Sequence, residues 1–149
     1  MLSYLYSLFY SQTYYDRLKE NPNKFYYLSL IKEQNNNYSI HGLWPQYSKT
    51  SYPTYCTNVT FDINKLQPIM TQLNKNWYST QEKNADFWKH EYEKHGSCVF
   101  TPMTEQEYFQ TTLDLYNKAI KENLPKNFYD EKTKKCLIPV SKHFNFVVN

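Results

Sequence analysis

Glycine is nearly missing from this chain. Among 149 residues there are two, Gly42 and Gly96, and each directly follows a histidine, His41 or His95. A chain so poor in glycine keeps it where the backbone demands it, so the two are read as special turns that each place an imidazole. Cysteine is scarce and odd in number. Cys56, Cys98 and Cys136 form no Cys-x-x-Cys pair, which argues against a structural zinc site and leaves one thiol over. No stretch is apolar for long enough to span a membrane. Residues 2–10 are apolar and aromatic but lack a basic leading stretch and a clean cleavage site. They are read as mature protein, a helix rather than a signal peptide. The single sequon, Asn58-Val59-Thr60, is usable only in a secreted chain. Charge of one sign is not in large excess either. A formal +3 permits a polyanionic partner without arguing for one, because nucleic-acid-binding domains are usually more basic. Internal repeats and linkers are absent, so residues 1–149 are read as one domain, with truncation at either end left open.

What the chain has in plenty is aromatic side chains, 19% of residues, so core and grooves are expected to be built from rings. Residues 1–20 read as a helix broken at Asn21-Pro22-Asn23. The aromatic and apolar run 25–31 reads as a buried strand, residues 34–37 as a turn and 38–41 as a second strand, with 42–46 leaving it. Residues 46–60, rich in Ser, Tyr, Pro and Thr, read as loop. Ile63, Leu66, Met70, Leu73 and Trp77 recur at helical spacing, but Pro68 interrupts them, so the helix is placed from Gln67. Asn84 is the expected N-cap of the next helix. Thr104-Glu105-Gln106-Glu107 has the pattern of a capping box. It opens a helix with Phe109, Leu113, Tyr116 and Ile120 inward, and Pro125 lies just beyond it. Residues 136–140 and 144–148 read as late strands. Hairpin-like pairs outnumber strand-helix-strand units, which predicts an α+β fold with a mainly antiparallel central sheet flanked by several helices.

The chemistry concentrates in Phe87-Trp88-Lys89-His90-Glu91-Tyr92-Glu93-Lys94-His95-Gly96-Ser97-Cys98. At ~100° per residue, His90, Lys94, Glu91 and His95 fall at roughly 0°, 40°, 100° and 140° on a helical wheel, with Phe87 at about 60°. All can face one cleft, and Gly96 follows where a helix end favours left-handed dihedrals. Two histidines can divide the work of acid and base near neutral pH. A glutamate can tune them, and a lysine offers a compact cation for a phosphorane oxygen. The zinc-protease pattern is matched only superficially, since its second histidine comes four residues after the first and here it comes five after. Taken singly, the residues have plainer readings. His41 alone would be structural, His90 and His95 alone a charged helix face, and Trp77 and Trp88 core. Trp44 and Phe87 divide evenly between core and base platform, and Tyr52 between stacking and surface exposure.

Together with Ile40-His41-Gly42-Leu43-Trp44-Pro45, that stretch resembles the two active-site segments of the ribonuclease T(2) family, in the family's order. The resemblance implies a metal-independent endoribonuclease on an α+β fold, needing no cofactor and acting on single-stranded RNA. It implies His95 as general base toward the ribose 2′-hydroxyl and His41 as general acid toward the departing 5′-oxygen. It also implies that His90 holds the phosphate, that Glu91 and Lys94 stabilise the transition state, and that the product is a 2′,3′-cyclic phosphate later opened by water. Trp44, Gln46 and Tyr52 match the family's first base pocket and Phe87 part of the second. Gln46 stands where the family often has an acidic residue, a departure that bears on base preference rather than on cleavage. Cys56 and Cys98 match the family's disulfide between the two segments, while the usual N-terminal Trp-Pro and cysteine segment is not visible and Cys136 has no obvious partner. A monomer, without membrane or metal, is expected. Family members are mostly secreted, periplasmic or in acidic organelles. Two alternatives stand beside this reading: a ribonuclease-like module that binds RNA or protein without cutting, and a metalloprotein using His and Glu ligands.

Overall fold

Strand β1 (Phe25–Lys32) carries the sheet, pairing antiparallel with β2 (Tyr38–Gln46) on one side and β4 (Lys135–Ser141) on the other. The computed structural model describes residues 23–147, so the helix expected over residues 1–20 lies outside the described residues. The sheet order is β2-β1-β4-β3, with the two-residue β3 (Tyr129–Asp130) on β4. This is the antiparallel α+β arrangement that the sequence predicts. One face of the sheet is core: Tyr26, Leu28 and Leu30 of β1 and Cys136, Ile138 and Val140 of β4 are all buried, as the two-residue period of a strand requires. The opposite face carries Tyr27 and Leu137, both half-buried.

β2 does not end at His41 but runs on through Pro45 to Gln46. Its outer side has no strand partner among the described residues, so the missing N–H of Pro45 is tolerated there. The turn between β1 and β2 is made without glycine. Asn35 and Asn36 take left-handed dihedrals, φ 60° each, a conformation asparagine tolerates better than most residues.

Residues Ile63–Ile69, with Pro68 inside, form a 3₁₀ helix, and the α-helix proper, α1, is Met70–Asn76. The proline moves the helix start three residues beyond the expected one, since it removes a backbone donor. Helix α2 is Asn84–Lys94. Asn84 does not cap it; its Oδ1 instead accepts from Ser79 N (2.9 Å), bracing the preceding loop. Helix α3, Glu105–Lys121, opens with the expected capping box, Thr104 and Glu107 bonding reciprocally. It ends in a left-handed Asn123, with Leu124 N donating to Ala119 O and Asn123 N to Ile120 O, the pairing of a Schellman motif. Tyr108, Phe109, Leu113 and Ala119 are buried, but Ile120 is 40% exposed; the inward stripe passes through Ala119 instead. Pro125 begins the short helix α4 (Pro125–Phe128). Of the strand expected over residues 144–148, the described part, 144–147, holds only an isolated bridge from Phe146 to Val140. The chain turns at Phe144, φ 63°, which interrupts an extended ladder.

Cys56 and Cys98 are joined, and Cys136 is free and buried. Hydrogen bonds sew the same two segments together: Tyr55 N donates to Lys94 O (2.9 Å) and Cys56 N to Ser97 Oγ (3.0 Å). The bridge closes a loop with a sequence separation of 42, for which restriction of the unfolded chain is worth about 4 kcal/mol. Urea unfolding with and without a thiol reductant is expected to differ by about that amount; equal midpoints would mean that the bridge contributes nothing to the native state.

Candidate active site

The register of β1 and β2 slips at one point. Ser29 pairs with Gly42 and Leu30 with Ile40, so His41 has no partner across the ladder. This is a β-bulge, a device that re-aims a side chain and leaves one residue outside the regular hydrogen bonding. The carbonyl of His41 finds a donor elsewhere, Trp77 Nε1 at 3.0 Å, and the carbonyl of Trp77 accepts in turn from Trp88 Nε1 at 2.6 Å. Both tryptophans are buried, as the core reading has it. They anchor the bulge to α2 and to the end of α1.

Glu91 comes from α2 and is buried, 1% exposed. Its carboxylate meets β2 side-on. Oε2 accepts from Trp44 Nε1 at 3.0 Å, Oε1 lies 3.3 Å from His41 Nε2, and Oε2 lies 3.8 Å from His95 Nε2. One carboxylate thus reaches both imidazoles. Gly42 makes room for it: a methyl group there would collide with Glu91 Oε2 and stand 2.7 Å from Trp44 Nε1. Neither glycine has a positive φ, so the left-handed turn expected at Gly96 is not what fixes that residue. A methyl at Gly96 would come within 2.6 Å of Tyr92 Cδ1. Close approach, not dihedral freedom, explains both glycines.

The Trp44 ring stacks on His95, centroids 5.1 Å apart and planes at 25°, and meets His41 edge-on at 4.9 Å. The two histidines are in different environments. The His95 side chain is 6% exposed and that of His41 is 39% exposed. Burial pushes His95 down to about 4, against the opposing pull of Glu91. His95 is therefore held neutral down to low pH.

His41, Trp44, Gln46, Tyr52, His90, Glu91, Lys94 and His95 line one cleft of about 260 Å³. His90 and Tyr52 are exposed, Lys94 is half-buried, and Gln46 is buried with its Nε2 donating to Ser48 O. Phe87 is placed differently: it is buried behind His41, ring centroids 5.7 Å apart, and is not part of the cleft lining. Four further residues line the cleft that the sequence reading did not single out, Tyr27, Lys49, Lys135 and Leu137. The alternation of β1 and β4 places Tyr27, Lys135 and Leu137 on the face opposite the core, a usable signal once the sheet order is known. Lys49, in a polar loop, gives no such signal.

The fold and the cleft together define a class: α+β proteins in which a bulged strand and a helix bring two histidines to one buried carboxylate. The sequence profile of the Ribonuclease T2 family matches residues 2–136, and the chain belongs to that family. Ribonuclease DdI of Dictyostelium discoideum is 45% identical over 83 residues, covering 54% of this chain and 37% of its own length. Ribonuclease 1 of Arabidopsis thaliana is 37% identical over 87 residues, 56% of this chain and 38% of its own. The chain thus spans under two fifths of the length of these curated relatives. The structure of RNase MC1 from bitter gourd seeds superposes with a TM-score of 0.66 at 22% identity, over 83% of this chain and 92% of that one, and so shares the fold.

Gly42→Ala is expected to force Glu91 and Trp44 apart, costing about 1–3 kcal/mol. Thermal unfolding and the NMR titration of His95 check this together, and a variant with wild-type values in both would show that the carboxylate does not depend on that gap.

Proposed function

We propose that this chain is an endoribonuclease that cleaves single-stranded RNA by transphosphorylation. The observation that carries the reading is the single Glu91 carboxylate set between His41 and His95 in one cleft. In the relatives' names the word is ribonuclease, and RNase NT has been solved with 5′-AMP bound, which supports a nucleotide-binding cleft here.

The environments of the two histidines support the division of labour. His95, buried and kept neutral, is the general base. It takes the proton of the ribose 2′-hydroxyl, and that oxygen attacks the adjacent phosphorus. His41, more exposed and beside the Glu91 carboxylate, is the general acid. It gives its proton to the departing 5′-oxygen, and a 2′,3′-cyclic phosphate results. Water opens the ring with the two roles exchanged, leaving a 3′-phosphate. His90 and Lys94 hold the non-bridging oxygens as negative charge builds on them, and Glu91 stabilises positive charge on either imidazole. DNA lacks the nucleophile and is not cut. Trp44, Gln46 and Tyr52 are the base contacts, with weak base preference, since stacking on rings is sequence-tolerant. Phe87 supports His41 from behind rather than touching a base. The residues stand as an intact acid, base and anion clamp, which favours catalysis over a binding module that has lost its chemistry.

Incubation with short single-stranded RNA in EDTA, followed by analysis of the product ends, tests the reading. Cyclic phosphate ends are expected, and an enzyme silenced by the chelator would instead be a metalloprotein. His41→Ala and His95→Ala are each expected to lower kcat/KM by about 10²–10⁴-fold with the fold intact by circular dichroism; wild-type turnover in either removes that residue from its role.

The pH dependence follows from the direction of the His95 shift. A base must be unprotonated, so kcat/KM is expected to rise through about pH 4, where buried His95 loses its proton. An ordinary histidine would put that limb near ~6.5. Finding the acidic limb there would mean that the cleft does not hold His95 neutral.

A further inference from the structure

The cleft holds two lysines with no role in the proposed transfer. Lys49 and Lys135 are both exposed and both line it, and neither has a carboxylate within ion-pairing distance among the described residues. With Lys94 they make three ammonium groups against one carboxylate, Glu91, which already faces two imidazoles. The chain as a whole has a formal charge of only +3, so this cleft is a concentration of positive charge on a mildly charged protein.

The two lysines are held at different sides of the cleft by different parts of the fold. Lys49 sits in a tight turn. Tyr47 N and Ser48 N donate to Ser51 O, Thr50 N and Ser51 N donate to Ser48 Oγ, and buried Gln46 donates to Ser48 O. That turn continues directly from β2, one side of the cleft. Lys135 opens β4. Leu137 pairs with Ser29, which pairs with Gly42, so β4 lies two strand spacings, about 10 Å, across the sheet from the bulge at His41. Lys135 is two residues along from Leu137, on the same face. Tyr27 and Leu137 line the cleft on the same sheet face, opposite the core.

We propose that Lys49 and Lys135 grip the phosphates on either side of the scissile one, so that the cleft selects oligonucleotides over mono- and dinucleotides. The inference rests on the ribonuclease reading for which phosphate lies at the centre. The lysines act as point charges tracking a backbone, with Tyr27 offering a stacking surface within the cleft. Selectivity for length then comes from phosphates beyond the reacting pair of nucleotides, and it is sensitive to salt because each contact releases counterions.

Binding, rather than cleavage, tests this. Fluorescein-labelled 2′-O-methyl oligonucleotides of two, four and eight residues cannot be cut and are titrated by anisotropy at several salt concentrations. The wild-type protein is expected to bind the octamer at least tenfold more tightly than the dimer. Lys49→Gln and Lys135→Gln are each expected to weaken octamer binding several-fold and to reduce the slope of log K against log salt by about 0.7, the value for one single-strand phosphate contact. Lys89→Gln, an exposed lysine outside the cleft that pairs with Glu93, controls for net charge and is expected to leave the slope unchanged. Equal weakening on dimer and octamer, or an unchanged slope in both cleft variants, overturns the proposal even if RNA is cleaved. Length-dependent binding lost in both variants upholds it, and in a protein that cuts no RNA the same result would leave only the catalytic reading overturned.

Discussion

A charge out of water governs this structure. The Glu91 carboxylate is almost completely buried, and an isolated buried carboxylate is far too costly to persist unpaired. It survives because the Trp44 indole N–H donates to it and the His41 imidazole lies 3.3 Å away. Those partners come from β2 and the carboxylate from α2, so satisfying the charge and joining helix to sheet are the same event. The supporting features serve that junction: the bulge that turns His41 toward it, the indole of Trp77 that takes up the freed carbonyl, and the bare backbone at Gly42 that lets the carboxylate lie against the strand.

The same carboxylate faces two histidines, yet the outcome at each differs. At His95 loss of water outweighs the nearby negative charge, and the ring stays neutral. At His41 water still reaches the side chain. Giving two like groups different surroundings is a general means by which one site can hold both an acid and a base. The Trp44 ring touches both, stacked on buried His95 and edge-on to the more exposed His41.

Much of this was legible in the residues, and the reasons are specific. The strands around Leu28 and Ile138 stand out as short aromatic or apolar runs, and the capping box at Thr104 is a local pattern with a local cause. The cluster from His90 to His95 could be placed on one helix face from spacing, and the only glycines marked the two histidines that the cleft brings together. The reason for those glycines was not legible. Both are fixed by neighbours distant in sequence or a turn away, Glu91 and Tyr92, and a Cβ clash is a tertiary fact. The bulge at His41 was hidden too, because register is a property of two strands. Lys49 and Lys135 look like ordinary surface lysines until the sheet order brings β4 to the cleft, and Ile120 failed because the helix rotates its inward stripe through Ala119. The bridge of Phe146 to Val140 shows that an alternating run is not enough for a strand when its backbone turns beforehand.

Three cysteines admit three different cross-links, and the fold forms one of them, Cys56–Cys98. Cys136 lies in the sheet with its face fully covered and its Sγ directed at Pro125 O. Burial raises its ionisation to about 12, so it is almost never the thiolate that attacks a disulfide. Once β4 has joined the sheet, the odd thiol is withdrawn from exchange both sterically and chemically, and the Cys56–Cys98 link stands without a competitor. The fold itself thus selects among the possible pairings by hiding the one thiol that could compete.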